Sequence, residues 1–203
     1  METTSERMLR LSIEKRQHYQ DKIKKKATFE HRRTYTIGQM VIDSLDDIPD
    51  YVQKPDGTKV IYLSRFEKCV KTLSEKATIH RLLSSASPIT NFDVNSLANE
   101  LYELFKNSTM NTKSVNTRIG VVPEEDRVSK YTDKFHLLKR RRYLVGKIML
   151  HYFHELPSLT DETNEEYRKK LDRFKEVLSL INYCAKMISS DAIWKNSEKE
   201  NLQ

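Results

Sequence analysis

A mostly α fold is predicted by three observations. Four glycines and five prolines are all that interrupt 203 residues. Lys, Glu and Leu are abundant, and apolar residues recur chiefly in steps of three and four. The predicted architecture is a helical bundle with a long C-terminal antiparallel helical hairpin and a small β-hairpin near residues 51–62. Scarce glycine also excludes glycine-rich phosphate loops, tight-turned β-sandwiches and dinucleotide-binding crossovers, which need positive φ or close backbone approach at several positions. With 37% of residues hydrophobic and 32% charged, the composition argues against one broad core.

Residues 1–34 read as a basic, weakly amphipathic helix. Thr3 and Glu6 stand at capping-box spacing, where hydroxyl and carboxylate satisfy each other's free backbone N–H groups. Leu9, Ile13, Tyr19 and Ile23 form a thin apolar stripe, and Lys24, Lys25, Lys26, Arg32 and Arg33 crowd the end. A helix with so little to bury either docks on a partner or frays.

Residues 35–106 read as a small α+β region, a β-hairpin plus two helices. Tyr35 to Ile42 is rich in strand-forming residues. Tyr51-Val52-Gln53 and Thr58 to Tyr62 flank Lys54-Pro55-Asp56-Gly57, a turn in which proline presets φ and Asp-Gly tolerates the dihedrals that follow. A helix from Ser64 to about Ser84 is expected from Phe66, Val70, Leu73, Ala77 and Leu83. Asp93 then opens a second helix carrying Val94, Leu97, Leu101 and Leu104. Residues 107–122 are a polar linker without periodicity.

Residues 123–190 read as a long αα-hairpin. Pro123 followed by Glu124, Glu125 and Asp126 is a helix start, and Pro157 ends that helix. Its stripe is taken as Val128, Tyr131, Phe135, Leu138, Val145, Met149, Tyr152 and Leu156, with Arg142 facing the seam. Tyr167, Leu171, Phe174, Leu178 and Ile181 then step alternately by four and three, a coiled-coil seam expected to meet the preceding helix and protein partners. Residues 191–203 read as a disordered tail. Within it Lys199-Glu200-Asn201 resembles a KEN box, the degradation signal of cell-cycle proteins, which implies a cell-cycle role.

Net charge is +7, which favours an anionic partner, nucleic acid before a membrane surface. No apolar run is long enough to span a membrane, and acids in the first residues argue against a targeting peptide. Cys69 and Cys184 are too few for a disulfide framework and read as reduced thiols. The expected location is therefore intracellular, and nuclear.

The densest positive cluster is Lys139-Arg140-Arg141-Arg142. Between residues 113 and 151 ten Lys or Arg face four acids. Phosphate contact is assigned to Lys130, Lys134, Lys139, Arg140, Arg141 and Lys147, with Lys24, Lys25 and Lys26 as a second cluster acting through charge alone. No base-reading module is present, so DNA or RNA binding would be of low sequence specificity. His151 and His154, with Glu155, share a helical face but lack further ligands, so no metal is expected. No catalytic motif is present, and neither an enzyme nor a cofactor is expected. The function that follows is a helical subunit or adaptor of a nuclear assembly, with nucleic-acid backbone binding as the alternative.

Overall fold

The computed structural model describes residues 4–107, 128–129, 133–156, 164–188 and 194. The protein is mostly helical, with a small antiparallel sheet. In chain order the elements are α1 (Thr4–Ser44), β1 (Tyr51–Gln53), β2 (Lys59–Ile61), α2 (Ser64–Ser74), α3 (Ala77–Ser84) and α4 (Asn91–Asn107). Then follow β3 (Val128–Ser129), α5 (Lys134–Tyr152) and α6 (Asn164–Ile188). The chain divides into two compact units, Met1–Arg33 and Thr34–Gln203. The first is a helical rod. The second holds the core.

Tyr35 to Ile42 is helix, not strand. Ile37, Val41 and Leu45 recur every four residues and are all buried, so burying that stripe overrides local β preference. The first helix therefore continues ten residues past the expected boundary. Gly38 and Gly146 allow a backbone-to-backbone approach of its second part to α5. A Cβ on Gly38 would stand 1.9 Å from the Arg142 carbonyl oxygen, and one on Gly146 would stand 1.9 Å from that of Thr34.

Strand β2 lies between β1 and β3, antiparallel to both, with Val52 opposite Val60 and Val60 opposite Val128. The turn joining β1 to β2 closes through Gly57 N–H to the Lys54 carbonyl at 2.9 Å, with Gly57 at φ 81°. Val128 and Ser129 are thus strand where a helix from Pro123 was expected. The helix instead starts at Lys134, with Asp133 as N-cap accepting from the Phe135 N–H at 3.1 Å.

The helix expected over residues 64–84 is broken between Ser74 and Ala77, so this region holds three helices. Thr72 Oγ1 and Ser74 Oγ donate to the Lys68 and Lys71 carbonyls, and Glu75 and Lys76 close with three-residue bonds to Thr72 and Leu73. Hydroxyl competition and a tightened last turn end the helix there. Helix α4 begins at Asn91, ahead of Asp93, under a reciprocal cap: Thr90 N–H donates to Asp93 Oδ2 at 2.9 Å, and Asp93 N–H donates to Thr90 Oγ1 at 3.3 Å.

The C-terminal helices pack differently from the expected hairpin. Helix α6 lies mainly on α4 and also on α3, while α5 lies on α2. One continuous core joins them, from Phe66 and Val70 of α2 through Leu97 and Leu101 of α4 to Phe174, Leu178 and Cys184 of α6. Trp194, expected in a disordered tail, is 1% exposed in that core, and its Nε1–H donates to the Asp46 carbonyl. A large apolar ring whose one polar atom is satisfied gains by burial. Lys199-Glu200-Asn201 lies outside the described residues.

Candidate functional site

Among the described residues, the side chains from Arg7 to Lys25 are all exposed. Between Thr4 and Arg33 the sequence carries ten Lys or Arg against four acids. Met8 and Tyr19 are 67% and 66% exposed, and Leu9, Leu11, Ile13 and Ile23 are also in solvent. Seen along the helix, Met8, Leu9, Ile13, Tyr19 and Ile23 fall on one side within about 140° at the standard turn angle. The expected stripe is therefore present and lies in solvent. Lys24 and Lys25 are exposed. The side chain of Lys26 lies outside the described residues.

Structure sorts the second basic cluster into different uses. Lys134 and Lys139 are exposed, while Arg140 and Lys147 are half-buried. Lys130 lies outside the described residues. Arg141, not Arg142, takes the inward position. Its Nε donates to the Pro49 carbonyl at 2.8 Å and its Nη2 to the Ile48 carbonyl. Burial lowers the Arg141 pKa, opposed by the nearby Asp50 charge. Arg141 thus secures the loop between α1 and β1, and its forks are spent inside the fold. The assignment to Arg142 failed because the buried stripe of α5 runs through Leu137, Leu144, Val145, Ile148 and Met149. Arg141 stands four residues from both Leu137 and Val145. Phe135, expected in the stripe, is 58% exposed.

Three of the five residues of the expected partner seam lie in the core. Phe174, Leu178 and Ile181 are buried in the core, and Tyr167 and Leu171 are half-buried. Helices α4 and α3 supply the surface against which α6 packs.

Polar groups inside the second unit hold elements together. Asp46 accepts from Asn182 Nδ2 at 2.9 Å, pairs with Lys186, and donates its own N–H to Asn182 Oδ1 at 3.1 Å. Lys186, and then the Asn182 amide, hold its carboxyl below the ordinary value. Asp93 pairs with Arg81 as well as capping α4. Its carboxyl is held at about 2 by the Thr90 N–H, by Arg81 and by the Thr90 hydroxyl. Glu67 is 3% exposed and faces Tyr152, whose pKa rises through burial and that carboxylate. His80 faces the Ser74 carbonyl through Nε2 and Glu155 through Nδ1. Both partners accept, so the doubly protonated ring suits the site, and the Ser74 carbonyl and Glu155 raise its pKa.

Neither cysteine is poised as a nucleophile: burial pushes Cys69 to about 11 and also raises Cys184. His151 and His154 are exposed. Among the described residues no three His, Cys, Asp or Glu groups stand together as cation ligands, and no helix is long and apolar enough to cross a membrane. Sequence reasoning missed the anchors His80 and Trp194. The lone tryptophan of an otherwise polar tail was the available signal for the second. Comparison with family models, with characterised proteins and with solved structures finds no match for this chain.

Proposed function

We propose that this protein is a non-enzymatic helical subunit or adaptor. Its second unit is a self-contained core, and its N-terminal helix is the docking element. One observation carries the reading: Met8, Leu9, Ile13, Tyr19 and Ile23 stay in solvent on one side of a basic helix. Apolar surface of this kind is stabilised when another chain covers it, and the surrounding cations select an acidic surface. The C-terminal seam cannot serve this role, since a charge at Leu178 would unfold the core before any partner was tested. The run Lys139-Arg140-Arg141-Arg142 supports nuclear import.

Quantitative affinity purification of the full chain, beside a Leu9→Asp/Ile23→Asp variant, tests the reading. A stoichiometric protein partner lost in the variant, with the melting temperature unchanged, is the expected result. An identical partner set for both would overturn it.

A second reading, contact with the phosphate backbone of nucleic acid, is favoured by the exposure of Lys134 and Lys139 at the start of α5. Arg141 is removed from that set by its bonds to Ile48 and Pro49.

A further inference from the structure

Two aromatic rings near the start of α5 each carry a lysine ammonium. Lys139 Nζ lies 4.3 Å from the Phe135 ring centre, one helical turn away. Lys59 Nζ lies 5.4 Å from the Tyr51 ring centre, across the β1–β2 ladder. Lys59 stands opposite Ser129 of β3, four residues before the Asp133 cap of α5, which sets the sheet's ring–lysine pair towards the foot of α5. Asp133 itself is occupied. It accepts from the Phe135 N–H and faces His136 Nδ1 at 3.0 Å.

Phe135 is the feature that phosphate contact alone does not explain. It is 58% exposed, and Lys134, His136 and Lys139 around it are exposed too. A ring in water beside two lysines matches what an unpaired strand offers: a base face to stack on the ring and phosphates for the lysines. A duplex hides its base faces, so the ring would gain nothing there. We infer that this rim binds single-stranded nucleic acid, a base stacking on Phe135 and the backbone held by Lys134, Lys139 and Lys59. The inference rests on the second reading above and adds to it the strand state and the stacking residue.

The test is fluorescence anisotropy of the full chain with labelled oligo-dT and oligo-U of about 15 nucleotides, and with a duplex of the same length. Each is measured at about 50 and 200 mM salt. Phe135→Ala is expected to weaken strand binding about fivefold or more while leaving the salt slope unchanged. Lys134→Gln/Lys139→Gln is expected to flatten that slope. Phe135→Ala removes an exposed ring, so an unchanged melting temperature confirms that folding is intact. Equal affinity for strand and duplex, or strand binding indifferent to Phe135→Ala, would overturn the single-strand inference and leave backbone contact standing. Absence of salt-sensitive binding to any of the three probes would overturn both.

Discussion

Arg141 shows how one guanidinium can be diverted from surface to scaffold. Removing it leaves the Ile48 and Pro49 carbonyls without their donor, and unmet acceptors in a half-buried loop cost more than the bond's net worth. Arg141→Ala is expected to destabilise the fold by about 1–3 kcal/mol in chemical denaturation, whereas Lys139→Ala should leave the midpoint unchanged. His80 adds a pH dependence of determined sign. Its folded pKa is raised above the ordinary 6.5, so its contribution is complete below that value and is lost as pH rises through the raised one. Melting temperature should therefore fall as pH rises through that raised value, and His80→Asn should flatten the fall. Asp93 acts in the opposite direction. Held at about 2 against an ordinary 3.8, it contributes above the ordinary value and its share disappears as pH falls from 3.8 towards 2. Thr90→Ala, which removes the hydroxyl half of the cap, should cost about 0.5–2 kcal/mol. None of these roles shows in local spacing except the Thr90–Asp93 cap, because each depends on a residue supplied by another element or by a distant turn.

At the scale of elements, the crossing of the second part of α1 with α5 depends on Gly38 and Gly146. Alanine favours an isolated helix over glycine by about 1 kcal/mol, yet here its Cβ would fall 1.9 Å from a backbone carbonyl on the other helix. Gly38→Ala and Gly146→Ala are each expected to destabilise by about 1–3 kcal/mol or more, read as a lowered denaturation midpoint. An unchanged midpoint would mean the helices separate at no cost. Helix existence was legible from periodicity for α2, α4 and α6, and the β1–β2 turn from Pro55-Asp56-Gly57. The strand preference of Tyr35 to Ile42 misled because Ile37, Val41 and Leu45 satisfy a helical period as well, and only burial selects between the two. The start of α5 misled for a related reason. Pro123 and three acids signal a helix start in isolation, whereas Val128 is taken by the sheet beside Val60.

Across the whole molecule, apolar surface is divided unevenly between the two units. No described side chain from Arg7 to Lys25 is buried, so deletion of residues 1–25 should leave the melting temperature within about 1 °C, in line with the small effects of changes at exposed sites. A larger drop would show that this helix belongs to the core. The sequence alone determined a helical protein with a turn at Lys54–Gly57, a basic N-terminal helix with a thin stripe, and a C-terminal helix buried along Phe174, Leu178 and Ile181. Those features rest on local period, turn chemistry and charge, which neighbours along the chain carry. Tertiary structure decided the rest: α6 against α4, Arg141 turned to the loop carbonyls, Trp194 drawn into the core, and Phe135 left in water. Each of these sets residues widely separated in sequence into competition for the same buried surface, and no local pattern records which of them wins.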